Sequence, residues 1–111
     1  SSNLQTVRSQ IELYKIQHLE KTPELDENGR PDTANFAFRL TGRTDQDGRL
    51  NPAGALGPYL QSMPANPFTD EAVAREVAFG QGPPPGDGAT GWWFDTVSGT
   101  FYANDPDHTG L

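Results

Sequence analysis

Residues 3–21, NLQTVRSQIELYKIQHLEK, hold the most periodic pattern in the chain. Leu4, Val7, Ile11, Tyr14 and His18 recur at spacings of three and four, which places them on one face of a helix. Pro23 closes the pattern, because the residue before a proline, Thr22, is pushed towards extended backbone. Leu13 and Ile16 fall on roughly the opposite side of the wheel, and Leu19 lies between the two groups. A helix that only covered one face of a sheet would need a single apolar stripe. This one carries two. The stripe needs a core, and the patch formed by Leu13 and Ile16 needs either a second wrapping segment, for which Phe36, Phe38 and Leu40 are the candidates, or a neighbouring molecule.

The rest of the chain must supply that core economically. With 111 residues, of which 33% are hydrophobic, it fits one domain with a modest interior. Twelve glycines and ten prolines imply long ordered loops, and two Trp, three Tyr and six Phe argue against disorder. The formal net charge of -7 excludes a basic stripe for nucleic acid and disfavours anionic lipid surfaces. Cysteine is absent, so neither a disulfide framework nor thiol chemistry is available. No apolar run approaches the roughly 18 residues of a membrane-spanning helix.

Beyond the first helix, TPELDENGRP (22–31) reads as a charged loop with an Asn-Gly turn. PDTANFAFRLTG (31–42) reads as a short helix capped by Asp32 or Thr33 and stopped at Gly42. A strand from Phe36 to Leu40 is the competing reading, since Phe36, Phe38 and Leu40 also alternate. Residues 71–80 are ambiguous in their first half and strand-like in their second, and GQGPPPGDGATG (80–91) forms a loop stiffened by three consecutive prolines. The clearest hairpin is GWWFDTVSGTFYAN (91–104), two aromatic runs joined by a polar loop ending in Gly99. Alternation sends Trp92 and Phe94 to one side and Trp93 to the other, with Phe101 and Tyr102 on the return strand.

Between these lies GPYLQSMPANPF (57–68), with three prolines and the anchors Tyr59, Leu60 and Phe68. Pro64 and Pro67 fix their φ angles and withdraw two donors, while Asn66 can bond local backbone. The stretch reads as a structural clasp that pins loops where a small sheet offers too few ladder bonds.

Catalytic signals are few. The histidines are His18, on the helix stripe, and His108, near the C-terminal end of the sequence; no Gly-x-Ser-x-Gly motif or marked carboxylate pair accompanies them. Two stretches, Asp45–Asp47–Gly48 and Asn104–Asp105–Asp107, have a weak likeness to calcium loops but lack a distal bidentate acid, and read first as a turn and a solvated tail. No cofactor is expected, and calcium, mainly at Asn104–Asp105–Asp107, is the one metal the sequence leaves open. Tandem Trp92–Trp93 would suit a sugar-binding platform only if both rings lay on one face, which strand geometry opposes.

Taken in order, these segments resemble the soluble domain of type IV pilin-like proteins, and within them the pseudopilins of type II secretion systems. The residues that carry the resemblance are Ile11, Leu13, Tyr14, Lys15 and Ile16 at the helix end; Tyr59, Leu60, Pro64, Asn66 and Pro67 in the clasp; and Gly91, Trp93 and Asp95 in the hairpin. The resemblance implies an α+β fold, with a long N-terminal helix (1–21 being its C-terminal half) on a small antiparallel sheet, a variable region over 22–90 and the hairpin at 91–104. It also implies a hydrophobic helix half ahead of Ser1 that anchors the subunit in the inner membrane, trimmed by a prepilin peptidase. The implied role is a non-enzymatic subunit of a periplasmic filament, whose partners are other pseudopilin subunits, the isolated domain being monomeric. A minor pilin of a surface pilus is the alternative within the class, and a small carbohydrate-binding module the alternative outside it.

Overall fold

The computed structural model describes residues 2–110. They form an α+β fold: helix α1 (Ser2–Gln17), a 3-10 turn (Thr33–Asn35) running into helix α2 (Phe36–Thr41), and strands β1 (Val77–Gly80), β2 (Trp92–Asp95) and β3 (Thr100–Ala103). The chain divides into two compact units, one containing residues 2–8 and 63–110, the other residues 9–62. No helix among the described residues is long and apolar enough to cross a membrane.

The expected stripe on α1 is buried along its whole length: Leu4, Val7, Ile11, Tyr14 and His18. The helix is shorter than its periodicity predicted, 16 residues rather than the full span to 21. His18 explains the early stop. Its ring Nδ1 sits 2.6 Å from the Tyr14 carbonyl, the acceptor that the His18 amide would use in a continuing α-helix. The His18 amide bonds to Lys15 O instead, and Leu19 and Glu20 turn into the left-handed region with φ of 60° and 66°. Glu20 N closes the end by donating to Lys15 O at 2.9 Å.

In the sheet unit, Trp92, Phe94, Phe101 and Ala103 alternate inward, and full burial of a side chain the size of Phe94 or Phe101 is worth about 1.5–3 kcal/mol. The predicted hairpin is present: β2 and β3 pair antiparallel in the register Trp92↔Ala103 to Asp95↔Thr100. The sheet is nevertheless mixed, not antiparallel, because β1 joins β2 in parallel, Val77 opposite Trp92 and Gly80 opposite Asp95. Residues 81–91 carry the chain back from the end of β1 to the start of β2, as a parallel neighbour requires. Arg8 donates from Nε to Phe101 O at 2.7 Å and lies over the Tyr102 ring, fixing the first part of α1 to β3.

The turn unit contains no named strand, only isolated bridges at Leu25↔Pro31, Thr44↔Leu50 and Thr44↔Leu56. The helical reading of residues 36–40 holds, with Phe36 and Leu40 buried and Phe38 exposed on the other side. Neither expected cap forms as a side-chain cap: Asp32 makes no such bond, and Asn35 is the residue that precedes α2. Gly42 ends α2 in extended geometry.

Candidate functional site

The stretch from 57 to 68 works as two anchors, one in each unit. In the turn unit, the amides of Tyr59 and Leu60 both donate to Leu40 O, at 2.9 and 3.0 Å. The Tyr59 hydroxyl donates to Gln17 Oε1 at 2.6 Å, and its ring stands edge-on to Tyr14 and His18. In the sheet unit, Asn66 uses nearly every polar atom it has. Its Nδ2 donates to Gly91 O and to Asp105 Oδ1, both at 2.9 Å, while its Oδ1 accepts from Phe68 N. Its amide donates to Ala74 O, and its carbonyl accepts from the Thr69 amide and hydroxyl. Pro64 lends its free carbonyl to the Trp92 indole Nε1 at 2.7 Å. A residue with no backbone donor thereby satisfies the polar atom of the largest buried side chain.

Phe68 corrects the expectation of an apolar anchor. It is 58% exposed and stacks on the His108 ring, with centroids 4.2 Å apart. His108 in turn bonds through Nδ1 to Asp105 Oδ2. Burial alone would raise the Asp105 carboxyl, but bonds from Asn66 and His108 outweigh it and hold the group below its ordinary range. Asp95 behaves alike: burial opposes its charge, yet its Oδ1 accepts from the amides of Val97, Ser98 and Gly82, and the net shift is downward. It also receives Gly99 N on its carbonyl, which fixes the hairpin loop.

The tandem tryptophans do not form a platform. Trp92 is fully buried. Trp93 lies over Gly80, where a Cβ would come within 2.5 Å of its ring, and its Nε1 donates to Gly82 O at 3.0 Å. Both indole donors are therefore committed to backbone carbonyls within the fold. A cleft of about 260 Å³ opens beside the clasp, lined by Ala65, Asn66, Pro67, Thr69, Glu71, Ala74 and Arg75. Among its lining residues, the Asn66 side-chain amide donates to Gly91 O and Asp105 Oδ1, and the Thr69 hydroxyl donates to Asn66 O.

The turn unit is organised by residues that the sequence pattern did not mark. Arg39, 2% exposed, donates from Nε to Gly48 O at 2.8 Å and from Nη1 to Pro23 O and Asp32 O, and pairs through Nη2 with Asp32 Oδ2 at 2.8 Å. The Asn35 side chain and Arg39 hold the Asp32 carboxyl below its usual range. His18 stacks on Tyr14 at 3.6 Å. Because a carbonyl only accepts, Nδ1–H donates to Tyr14 O, and in the neutral ring that burial favours Nε2 accepts from the Thr44 hydroxyl. Burial is the main reason its pKa is lowered. The one available signal for Arg39 was an arginine inside the apolar run FAFRL, a position where a long cation is buried only when paired.

Side-chain oxygens in both acidic stretches accept bonds from within the fold. Asp45 Oδ1 accepts from Asn51 Nδ2, Asp47 Oδ1 from Arg49 N, and Asn104 Oδ1 from Gly86 N. Among the described residues, no group of three or more His, Asp or Glu side chains is placed to hold a metal ion.

The second apolar patch on α1 stays open. Leu13 and Ile16 are 41% and 70% exposed, and Phe38 is 62% exposed, so the middle segment does not wrap the second helix patch as the sequence allowed. No family model, no curated protein and no solved structure matches the chain.

Proposed function

We propose that the chain is the soluble domain of a pilin-like assembly subunit, a pseudopilin of a type II secretion-like system. It acts without catalysis, as one copy among other pseudopilin subunits in a periplasmic filament anchored to the inner membrane. The observation that carries this reading is the second patch on α1: Leu13 and Ile16 stay open while Leu4, Val7, Ile11, Tyr14 and His18 are all buried. Exposed apolar residues on an otherwise committed helix are what a contact with another molecule requires. The order of helix end, clasp and aromatic hairpin supports the same class.

The test is a Leu13→Glu, Ile16→Glu double variant in the native host, scored by filament recovery and by circular dichroism of the isolated domain. Loss of filaments with an unchanged domain is the expected result. Normal filaments, or a coding sequence in which a cleavable signal peptide joins directly to Ser1, would sink the reading. An apolar stretch of roughly 20 residues behind a short basic leader is the upstream sequence it requires.

A further inference from the structure

Two five-residue turns in the turn unit are near copies, DENGR (26–30) and DQDGR (45–49). In each, the first Asp amide donates to the Arg carbonyl at 2.9 Å and the Gly amide donates to the Asp carbonyl at 3.0 Å. Both glycines have positive φ, 76° at Gly29 and 95° at Gly48. Their surroundings differ. Gly48 is buried, with the Tyr14 hydroxyl 3.4 Å from where a Cβ would stand, and its carbonyl is held by Arg39. Gly29 is exposed with nothing within 4 Å of that point, and an exposed Asn28 precedes it, where the twin turn has Asp47.

We propose that Asn28 is a site of spontaneous deamidation, restrained in the folded chain by the turn that Asp26 builds around it. The Gly29 amide nitrogen attacks Asn28 Cγ; the new N–C bond forms, the Cγ–Nδ2 bond breaks, and Nδ2 leaves as ammonia with the amide proton. Water then opens the cyclic imide. Cleavage at Cγ gives aspartate at position 28, as in the twin turn, and cleavage at the backbone carbonyl gives isoaspartate, with an extra methylene in the main chain. No oxidant or co-reactant besides water is needed.

Three observations single out this position. Asn51 and Asn66 precede prolines, which have no N–H to form the imide. Asn3 lies in α1, Asn35 precedes Phe36, whose amide is held by Thr33 O, and Asn104 is 2% exposed with its side chain bonded to Gly86 N and Thr90 Oγ1. Asn28 alone is exposed and followed by a glycine, which puts no side chain in the path of attack. The restraint is equally visible. Asp26 Oδ1 accepts from both Asn28 N and Arg30 N at 2.9 Å, and Asp26 O holds the attacking Gly29 amide.

The experiment incubates the whole chain, folded and in denaturant, in warm, mildly alkaline buffer. Peptide mapping then locates the amide-to-acid mass change, and enzymatic carboxyl methylation reports isoaspartate. Expected are conversion at Asn28, several-fold faster in denaturant; faster conversion in folded Asp26→Ala than in folded Asp45→Ala; and complete loss in Asn28→Gln. Equal rates in the folded and unfolded chain would overturn the restraint. An intact Asn28 in denaturant, or conversion mainly at another asparagine, would overturn the site.

Discussion

The two units meet the same difficulty, a loop-rich backbone around a small core, with different chemistry. The sheet unit has a three-stranded ladder and gathers its loops on a neutral amide, Asn66, which ties Gly91, Ala74, Phe68 and Asp105 together. The turn unit has no ladder and gathers its loops on a cation, Arg39, whose guanidinium reaches Pro23, Asp32 and Gly48. A guanidinium fans five donors from one point, so it can replace several strand bonds, but it must stay charged and paired. The amide carries no charge, and its side chain makes three bonds to the guanidinium's four. The contrast predicts that the turn unit is more sensitive to losing its centre and more sensitive to acid.

The largest expected effect follows from Arg39→Met. Removing the cation strands the carbonyls of Gly48 and Pro23 and the Asp32 carboxylate, at a cost of about 3 kcal/mol. Hydrogen exchange should show the loss first at the Tyr59 and Leu60 amides. Retained protection there would mean that Arg39 is not the centre of this unit.

Asn66→Ala comes next, at about 2 kcal/mol, because the Gly91 carbonyl and a buried Asp105 oxygen lose their donor. Both tryptophans belong to the sheet unit, so their fluorescence in a urea titration reads this change directly. An unaltered midpoint would show the amide to be redundant with the ladder.

Acid should separate the units along the pH axis. His18 is neutral when folded and its pKa is lowered chiefly by burial, so the unfolded chain binds its proton first. Stability is therefore lost as pH falls below the ordinary histidine value of 6.5 towards the lower folded value. In the sheet unit, Asp95 and Asp105 are the groups with lowered values, and their contribution is present above the ordinary carboxylate value of 3.8 and lost below it. Exchange protection in residues 9–62 should decline at milder acidity than in residues 63–110, and His18→Phe should remove the early decline. A common midpoint in both units would break the comparison.

The smallest effects come from two hydroxyls in one aromatic cluster. Tyr59→Phe loses its bond to Gln17 and should cost about 1 kcal/mol. Tyr14→Phe removes a buried hydroxyl with no partner, so it should be neutral or slightly stabilising. Thermal melts of the pair decide this, and a clear loss in Tyr14→Phe would point to an ordered water on that oxygen.

Much of the architecture was legible where it is local. Spacings of three and four marked the buried stripe of α1, and alternation put Trp92 and Trp93 on opposite sides without saying which is enclosed, because both periods are fixed by backbone geometry. Clasp residues were visible because Pro64 and Asn66 have few other uses in a turn. The parallel pairing of β1 was not legible, since nothing in Val77–Gly80 records which edge it joins. Nor was the end of α1, where the His18 ring takes the Tyr14 carbonyl while also reaching Thr44, 26 residues away. Arg39 escaped notice for the same reason: apart from Asp32 its partners are carbonyls, and a carbonyl has no sequence signature.

The ring of Trp93 over Gly80 has an evolutionary consequence. Every side chain at position 80 meets the indole at 2.5 Å, so that position is closed for as long as residue 93 stays large. Shrinking Trp93 first would open it, but would also forfeit the indole bond to Gly82 that steadies the crossover loop. The two sites thus drift as a single locus, and among relatives of this chain a residue larger than glycine at 80 should be found only alongside a small one at 93.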